Sequence, residues 1–219
     1  YKRQEQCSVV AEDMAYYASG ALKKAIDCVM EFDPKAAQEV RESEDKTDKY
    51  EDMLGTYLLK LGAEPLSVDA SEEVTELLKL IGDFERIGDH AVNIIESAEE
   101  MHDKQLEFSR SAKYELSVMS AAVGEVMDLA VKAFAENDTQ AASCVEPLEQ
   151  VVDDLKNELR TRHILRMKKG ECSIEAGFVW SDLLTNLERA SDHCSNVALC
   201  VLDLKKHTLS AHETQHERK

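Results

Sequence analysis

The sequence predicts an all-α protein built from two tandem, similar three-helix bundles. Turn residues are scarce, with 8 glycines and 3 prolines among 219 residues, which favours a few long helices over many short strands. A polar motif, Glu-Arg-x-x-Asp-His-x-x-Asn, occurs at 85–93 and again at 188–196, 103 positions later. An internal repeat of this kind indicates duplicated units that pack together.

Each unit is predicted to contain three helices. Asp33 is placed to cap the second helix, with Pro34 as its first residue, and Asp138 begins a corresponding helix 105 positions later. The offset falls from 105 to 103 at the later motif, so we expect the loop at 168–173 to be two residues shorter than the loop at 62–69. We expect helices at 3–31, 34–61 and 70–101 in the first unit (residues 1–104), and at 106–136, 139–168 and 173–207 in the second unit (residues 105–219).

Charge and composition exclude several classes of protein. The net charge is −18, from 44 acidic and 26 basic residues, so the surface repels nucleic-acid phosphates and a nucleic-acid partner is not expected. No apolar run is long enough for a transmembrane segment. The six cysteines contain no CxxC pair, which is typical of a reducing cytoplasm.

On a helical wheel, the acidic and amide residues of the repeated motif share one face. Glu85, Asp89 and Asn93 lie within an arc of about 80°. The second motif places its own three residues identically, at Glu188, Asp192 and Asn196. Each motif therefore presents one polar face of its helix.

The second helix of each unit carries a similar acidic face. Glu44 and Asp48 recur 105 positions later as Glu149 and Asp153. Like charges four apart weaken a helix, and two such faces side by side need a cation between them. Carboxylate and amide oxygens favour Mg²⁺, Ca²⁺, Mn²⁺ or iron. Alternatively, the acidic faces simply meet water, with the arginines of the two motifs pairing with nearby acids.

Three further features bear on function. Pro147 interrupts the fifth helix and is expected to kink it just before Glu149. A basic run at 160–169 either complements the dipole at the end of the fifth helix or contacts phosphate or anionic lipid headgroups. His212 and His216, four apart in the C-terminal tail, have a spacing that can chelate a metal on a helix.

The duplicated Glu-Arg-x-x-Asp-His-x-x-Asn motif, each time preceded by Glu-x-x-x-Asp on the second helix, resembles the PhoU family. The resemblance covers nearly the whole chain. It implies two three-helix bundles, a non-enzymatic role in regulating phosphate uptake and signalling, and a metal site in each unit. The implied ions are divalent or trivalent (Fe, Mn, Zn, Mg or Ca) and can form a multinuclear cluster. The implied ligands are Glu44, Asp48, Glu85 and Asp89 in the first unit and Glu149, Asp153, Glu188 and Asp192 in the second, with Asn93 and Asn196 as further candidates.

The family has two main settings. The stretches at 162–166, 170–172 and 182–196 look more like the C-terminal cytosolic domain of a bacterial sodium-dependent phosphate cotransporter. The implied partner is then the transmembrane portion of the same polypeptide, and the implied place is the inner face of the cytoplasmic membrane. The alternative is a free-standing regulator whose partners are a phosphate ABC transporter and a sensor kinase. A homo-oligomer is compatible with both settings.

The two units also differ at individual positions, and two functions of other classes compete. Asp83 is replaced by Asn186 in the second copy, and Asp45 by Gln150, so metal occupancy can differ between units.

A ferritin-like di-metal enzyme needs Glu-x-x-His on facing helices, and the chain offers this only at 99–102 and 213–216. A purely structural dimerisation module is the remaining alternative.

Overall fold

The protein consists of six long helices, confirming the predicted all-α class. The structure is a computed structural model that describes residues 2–216, with side chains described for residues 7–205. This described part contains no strand. The helices are α1 (Lys2–Met30), α2 (Pro34–Gly62), α3 (Val68–Asp103), α4 (Arg110–Ala135), α5 (Thr139–Lys168) and α6 (Ile174–His216).

Short polar side chains set where the helices begin. The carboxylate of Asp33 accepts a hydrogen bond from the Lys35 backbone at 2.9 Å, and Pro34 occupies the first turn, as predicted. Asp138 caps α5 in the same way through the backbone N–H groups of Gln140 and Ala141. These caps satisfy backbone donors that have no partner inside a helix.

The six helices pack as two triplets that meet along one main seam. In each triplet every helix contacts the other two, and the triplets join chiefly through α3 and α6, with a smaller contact between α1 and α4. Within the described residues, α2 and α5 contact only helices of their own unit. The core contains large, fully buried side chains, among them Phe84 and Trp180. The motif helices α3 and α6 therefore lie at the centre of the molecule.

The change in repeat offset lies inside a helix and not in a loop. The connections at 63–67 and 169–173 are both five residues long, so the predicted shortening of the second loop was wrong. The difference arises because α3 begins 17 residues before Glu85, whereas α6 begins 14 residues before Glu188. α5 has 30 residues against 29 in α2, so the loss of three and the gain of one give the net fall of two. Three residues are nearly one helical turn.

Further sequence expectations concern Pro147, the boundary between the units and the C-terminal histidines. α5 continues as one helix through Pro147, and the kink expected there stays a prediction. The predicted unit boundary at 104/105 falls in the link between α3 and α4, and the division into two separate domains stays a prediction. The side chains of His212 and His216 lie outside the described residues. No described helix is both long and apolar enough to cross a membrane.

Candidate functional site

In the first unit, a glycine lets the two acidic helices approach closely. Gly88 of α3 faces α2, and a Cβ atom at this position would lie 3.0 Å from Thr47 Oγ1 and 3.8 Å from Glu44 Cγ. Thr47 is buried, and its hydroxyl donates to the Glu44 carbonyl oxygen at 2.8 Å. A side chain at 88 would therefore require the Thr47 side chain to shift by a few tenths of an ångström. The close approach places Glu44 of α2 beside Asp89 of α3.

The first-unit carboxylates repel one another. Burial raises the pKa of Glu44, and the neighbouring charges of Asp89, Asp45 and Asp48 raise it further. Burial also raises the pKa of Glu85, and the charge of Asp89 raises it further; Arg86 opposes this shift, and Glu51 adds a smaller increase. These carboxyls therefore share one electrostatic environment that disfavours their ionised forms.

Arginine relieves only part of this repulsion. Arg86 Nη1 lies 3.2 Å from Asp89 Oδ2, and Arg86 Nε lies 3.5 Å from Glu85 Oε2. The corresponding Arg189 Nη1 lies 3.4 Å from Asp192 Oδ2 in the second unit. Both arginines are exposed, so their contacts are screened by water. The arginine pairing expected from the sequence is present, and both arginines lie on the exposed side of their clusters.

In the second unit the corresponding carboxylates also lie together. Burial raises the pKa of Glu149, as do the nearby charges of Asp192, Asp153 and Glu188. Glu188 is buried, and Lys156 Nζ lies 2.6 Å from its Oε2 atom. The second unit thus brings together the same four predicted acids, with a lysine added.

The donor atoms of both clusters suit hard cations. Carboxylate oxygens are the ligands preferred by Mg²⁺, Ca²⁺ and Mn²⁺. In this conformation, however, no three His, Cys, Asp or Glu side chains among residues 7–205 are arranged to hold a metal ion. A metal ion would need the carboxylates to change rotamer and converge, which the half-buried positions of Glu44, Glu85 and Glu149 allow.

The histidine and asparagine residues of the motif lie at the seam between the units. His90 Nδ1 donates to Asn186 Oδ1 at 2.9 Å, and Asn93 Nδ2 donates to the same oxygen at 3.2 Å. Asn93 had been a candidate metal ligand, and the structure places its amide in this seam, on the α6 side of the helix.

The opposite half of the seam repeats this pattern with an acid as acceptor. His193 Nδ1 donates to Asp83 Oδ1 at 2.8 Å, and Asn196 Nδ2 donates to it at 3.1 Å. The His90 and His193 rings stack with centroids 5.6 Å apart, and burial lowers the pKa of His90. Asn196, the other candidate ligand, thus also lies at the seam. We name this set the seam network: Asp83, His90, Asn93, Asn186, His193 and Asn196.

Sequence reasoning missed the acceptors of the seam network. Asp83 and Asn186 were noted only as a difference between the two copies. Each lies seven residues before the motif histidine, two helical turns away on nearly the same face. This seven-residue spacing is the sequence signal that places each acceptor on the same helix face as the histidine.

The basic run at the end of α5 is partly used inside the protein. Arg166 is buried, and its Nη1 atom lies 2.7 Å from Glu115 Oε2. His163 is also buried and stacks on Trp180, with ring centroids 5.6 Å apart. The other basic residues of the run are exposed: Arg160, Arg162, Lys168 and Lys169. Contact of these exposed residues with phosphate or lipid stays a prediction.

The fold and the carboxylate clusters define a class of protein: all-helical, internally duplicated, with an acidic helix pair in each unit and a polar seam between the units. The chain belongs to the PhoU domain family, whose model matches residues 11–98 and again 116–201. The two matches cover well over half of the chain. The family resemblance expected from the motifs is confirmed.

Curated relatives and solved structures agree with this assignment. The chain is 27% identical over 186 residues to the phosphate-specific transport system accessory protein PhoU homolog 1 of Thermotoga maritima, covering 84% of this chain and 79% of that protein. It is 27% identical over 188 residues to the corresponding accessory protein of Pseudomonas aeruginosa, covering 84% of this chain and 76% of that protein.

Two crystal structures share the fold. PhoU from Pseudomonas aeruginosa superposes with a TM-score of 0.77 at 23% identity, covering 94% of this chain and 95% of that chain. The phosphate transport system regulatory protein PhoU from Streptococcus pneumoniae superposes with a TM-score of 0.81 at 18% identity, covering 93% and 95%. These similarities show that the six-helix fold is shared.

Proposed function

We propose that this chain is a non-enzymatic regulator of phosphate transport that acts as an accessory protein to a phosphate transport system. The observation that carries the proposal is the double PhoU domain match, with the complete polar motif inside each matched segment. The relatives in Thermotoga maritima and Pseudomonas aeruginosa carry the name of accessory proteins of a phosphate-specific transport system.

The free-standing form is better supported than the cotransporter domain expected from the sequence. The relatives are accessory proteins by name, and their alignments with this chain span about three quarters of their length. The proposed partners are accordingly a phosphate ABC transporter and a sensor kinase, and not a transmembrane portion of the same polypeptide. The proposed place of action is the cytoplasmic face of the membrane that holds the transporter.

We further propose that the carboxylates bind divalent or trivalent metal ions, which allow the acidic helices to stay together. Support comes from the raised pKa values of Glu44 and Glu85, which reflect buried and mutually repelling acids. A bound cation supplies the missing positive charge and cross-links neighbouring helices. The proposed ligands are the first-unit residues predicted from the sequence: Glu44, Asp48, Glu85 and Asp89. Binding at the corresponding second-unit residues, Glu149, Asp153, Glu188 and Asp192, stays a prediction from the sequence.

The ferritin-like enzyme receives no support from the Glu-x-x-His pattern of α3. Glu99 is held by Arg41 through two hydrogen bonds of 2.8 and 2.7 Å. His102 stacks against Phe32, with ring centroids 4.7 Å apart. Both potential ligands are thus engaged in contacts within the first unit, and a di-metal enzyme needs them free on facing helices.

The test is complementation of a bacterium that lacks its own PhoU. The 219-residue chain, expressed alone, is expected to restore the parent strain's rate of radiolabelled phosphate uptake and to co-purify with the phosphate transporter. A chain that restores uptake only when fused behind the membrane portion of a sodium/phosphate cotransporter would contradict the accessory role and support the cotransporter domain.

A further inference from the structure

We propose that the two units are not equivalent as metal sites: in the second unit the ammonium group of Lys156 takes the place of a metal ion, so that metal binding is confined to the first unit. This inference rests on the proposed metal binding of the acidic helices. The residue in question, Lys156, lies in the α5/α6 pair, which corresponds to the α2/α3 pair of the first unit.

Lys156 stands where the first unit has an acid. The second helices of the two units align at an offset of 105, which pairs Glu44 with Glu149 and Glu51 with Lys156. Both members of the latter pair face the first glutamate of the motif in their own unit. Glu51 contributes a repulsive charge to Glu85, whereas Lys156 Nζ contacts Glu188 Oε2 at 2.6 Å. Glu51 and Lys156 thus occupy corresponding positions beside corresponding glutamates, and their charges are opposite.

The lysine contact is well shielded from water. The Lys156 side chain is 22% exposed and the Glu188 side chain 10% exposed. The contact is an ion pair and not an aligned hydrogen bond, because Glu188 Oε2 has no hydrogen-bond partner. In such a setting a charge is screened far less than at the surface. The ammonium therefore neutralises the most buried acid of the second unit and repels an incoming divalent ion.

Two further exchanges weaken the second unit as a cation site. Along the same face, Asp52 is replaced by Asn157, and the adjacent Asp45 by Gln150. Each exchange removes one negative charge, and each replacement still offers a neutral amide. At these three positions (45, 51 and 52), the second unit thus has three fewer carboxylates and one more cation than the first.

Both clusters can be reached from solvent. Glu51 and Glu85 line an open cleft of about 540 Å³ between α2, α3 and α6. Glu149 and Asp192 line an open cleft of about 290 Å³ in the second unit. Both clefts are wide enough for a metal ion, so the difference between the units lies in charge and not in access.

The test counts Mn²⁺ ions bound per chain. The full chain is stripped with a chelator and titrated with Mn²⁺ at neutral pH, and free Mn²⁺ is measured by electron paramagnetic resonance. Two matched double variants are compared: Glu44→Gln with Asp89→Asn in the first unit, and Glu149→Gln with Asp192→Asn in the second. The first variant is expected to lose the bound Mn²⁺, and the second is expected to keep the wild-type stoichiometry and affinity.

Two charge-reversal variants test the lysine itself. Lys156→Glu is expected to add Mn²⁺ binding that Asp192→Asn removes again, and Glu51→Lys is expected to weaken binding in the first unit by about 10–100-fold. Circular dichroism and thermal unfolding confirm that each variant is folded. Because Glu51→Lys acts in the other unit, it tests the inference even if Lys156→Glu does not fold.

The outcomes separate this inference from the proposed metal function. Equal loss of Mn²⁺ in both double variants would overturn the inequivalence of the units, while leaving metal binding in place. No Mn²⁺ binding by the wild type, together with binding by Lys156→Glu, would overturn the proposed first-unit site and support the lysine as the block. No binding by either protein would overturn both.

Discussion

Replacing Asp83 by alanine is the strongest single perturbation of the seam network. The Asp83 side chain is 13% exposed and accepts hydrogen bonds from His193 Nδ1 at 2.8 Å and Asn196 Nδ2 at 3.1 Å. The alanine variant removes both bonds and leaves the half-buried His193 donor without its acceptor at the α3–α6 seam, whereas the exposed Asn196 amide can turn to water. Asp83→Asn is the matched control because Asn186 accepts the equivalent pair of bonds in the other half of the seam.

The cost of the alanine variant can be worked from the two bonds. A hydrogen bond to a charged group contributes about 1.5–3 kcal/mol and a neutral one about 0.5–1.5 kcal/mol. Because only the His193 bond is shielded from water, Asp83→Ala should lower the free energy of unfolding by about 2 kcal/mol, and Asp83→Asn by about 1 kcal/mol or less. For a protein of this size, 2 kcal/mol corresponds to a fall in Tm of about 4–8 °C.

Urea unfolding at neutral pH, followed by circular dichroism, measures both values. Mn²⁺ titration of Asp83→Ala serves as a second readout, since Asp83 is not among the proposed ligands and the bound metal should be unchanged. The reasoning is refuted if Asp83→Ala changes the free energy of unfolding by less than about 0.5 kcal/mol, or if the alanine and asparagine variants are equally unstable.

Three further variants test the electrostatics of the described side chains. Glu85→Gln should stabilise the metal-free protein at pH 7 by about 0.5 kcal/mol. Since the folded pKa of Glu85 is raised, its unfavourable contribution disappears as pH falls through that pKa, so urea unfolding of the wild type and the variant should converge at lower pH. A constant difference across pH would contradict this. Burial lowers the pKa of His90, so the unfolded state takes up the proton first and stability is lost as pH falls below about 6.5. His90→Gln should remove this loss in a pH series of thermal unfolding, and an unchanged pH dependence would exclude His90 as its source. Glu115→Ala should leave the buried Arg166 without its carboxylate and cost about 3–5 kcal/mol in urea unfolding. A cost below about 1 kcal/mol would show that the pair behaves as a surface contact.

The sequence predicted the fold because its signals are local. Asp33 with Pro34, and Asp138, mark helix starts that the structure reproduces. The repeated motif at 85–93 and 188–196 was sufficient to indicate duplication. The error in loop length came from one added helical turn at the start of α3, which repeat offsets cannot distinguish from a longer loop.

The candidate site was only partly predictable because roles within a motif depend on which helix packs opposite. The periodicity of α3 placed Glu85, Asp89 and Asn93 on one face. The structure divides them, with the acids toward α2 and the amide of Asn93 toward Asn186 of α6. The sequence could not show that α3 and α6 form the central seam, so the acceptor residues of the seam network were not recognised.

The contact of Lys156 illustrates the same limit. Its alignment with Glu51 was available from the repeat, but the importance of the exchange depends on the distance of 2.6 Å to Glu188. That distance follows from how α5 and α6 pack within the second unit. Aligning the two units position by position shows that Lys156 replaces Glu51. The alignment alone does not show that Lys156 contacts Glu188.

The most direct test of the account combines regulation with metal content in one strain. A bacterium lacking PhoU is complemented with the wild-type chain or with the Glu44→Gln, Asp89→Asn double variant, and phosphate uptake and metal bound to the purified chain are measured together. The account predicts that the wild type restores uptake and carries metal, whereas the folded double variant does neither. Full restoration by a double variant that carries no metal would contradict it.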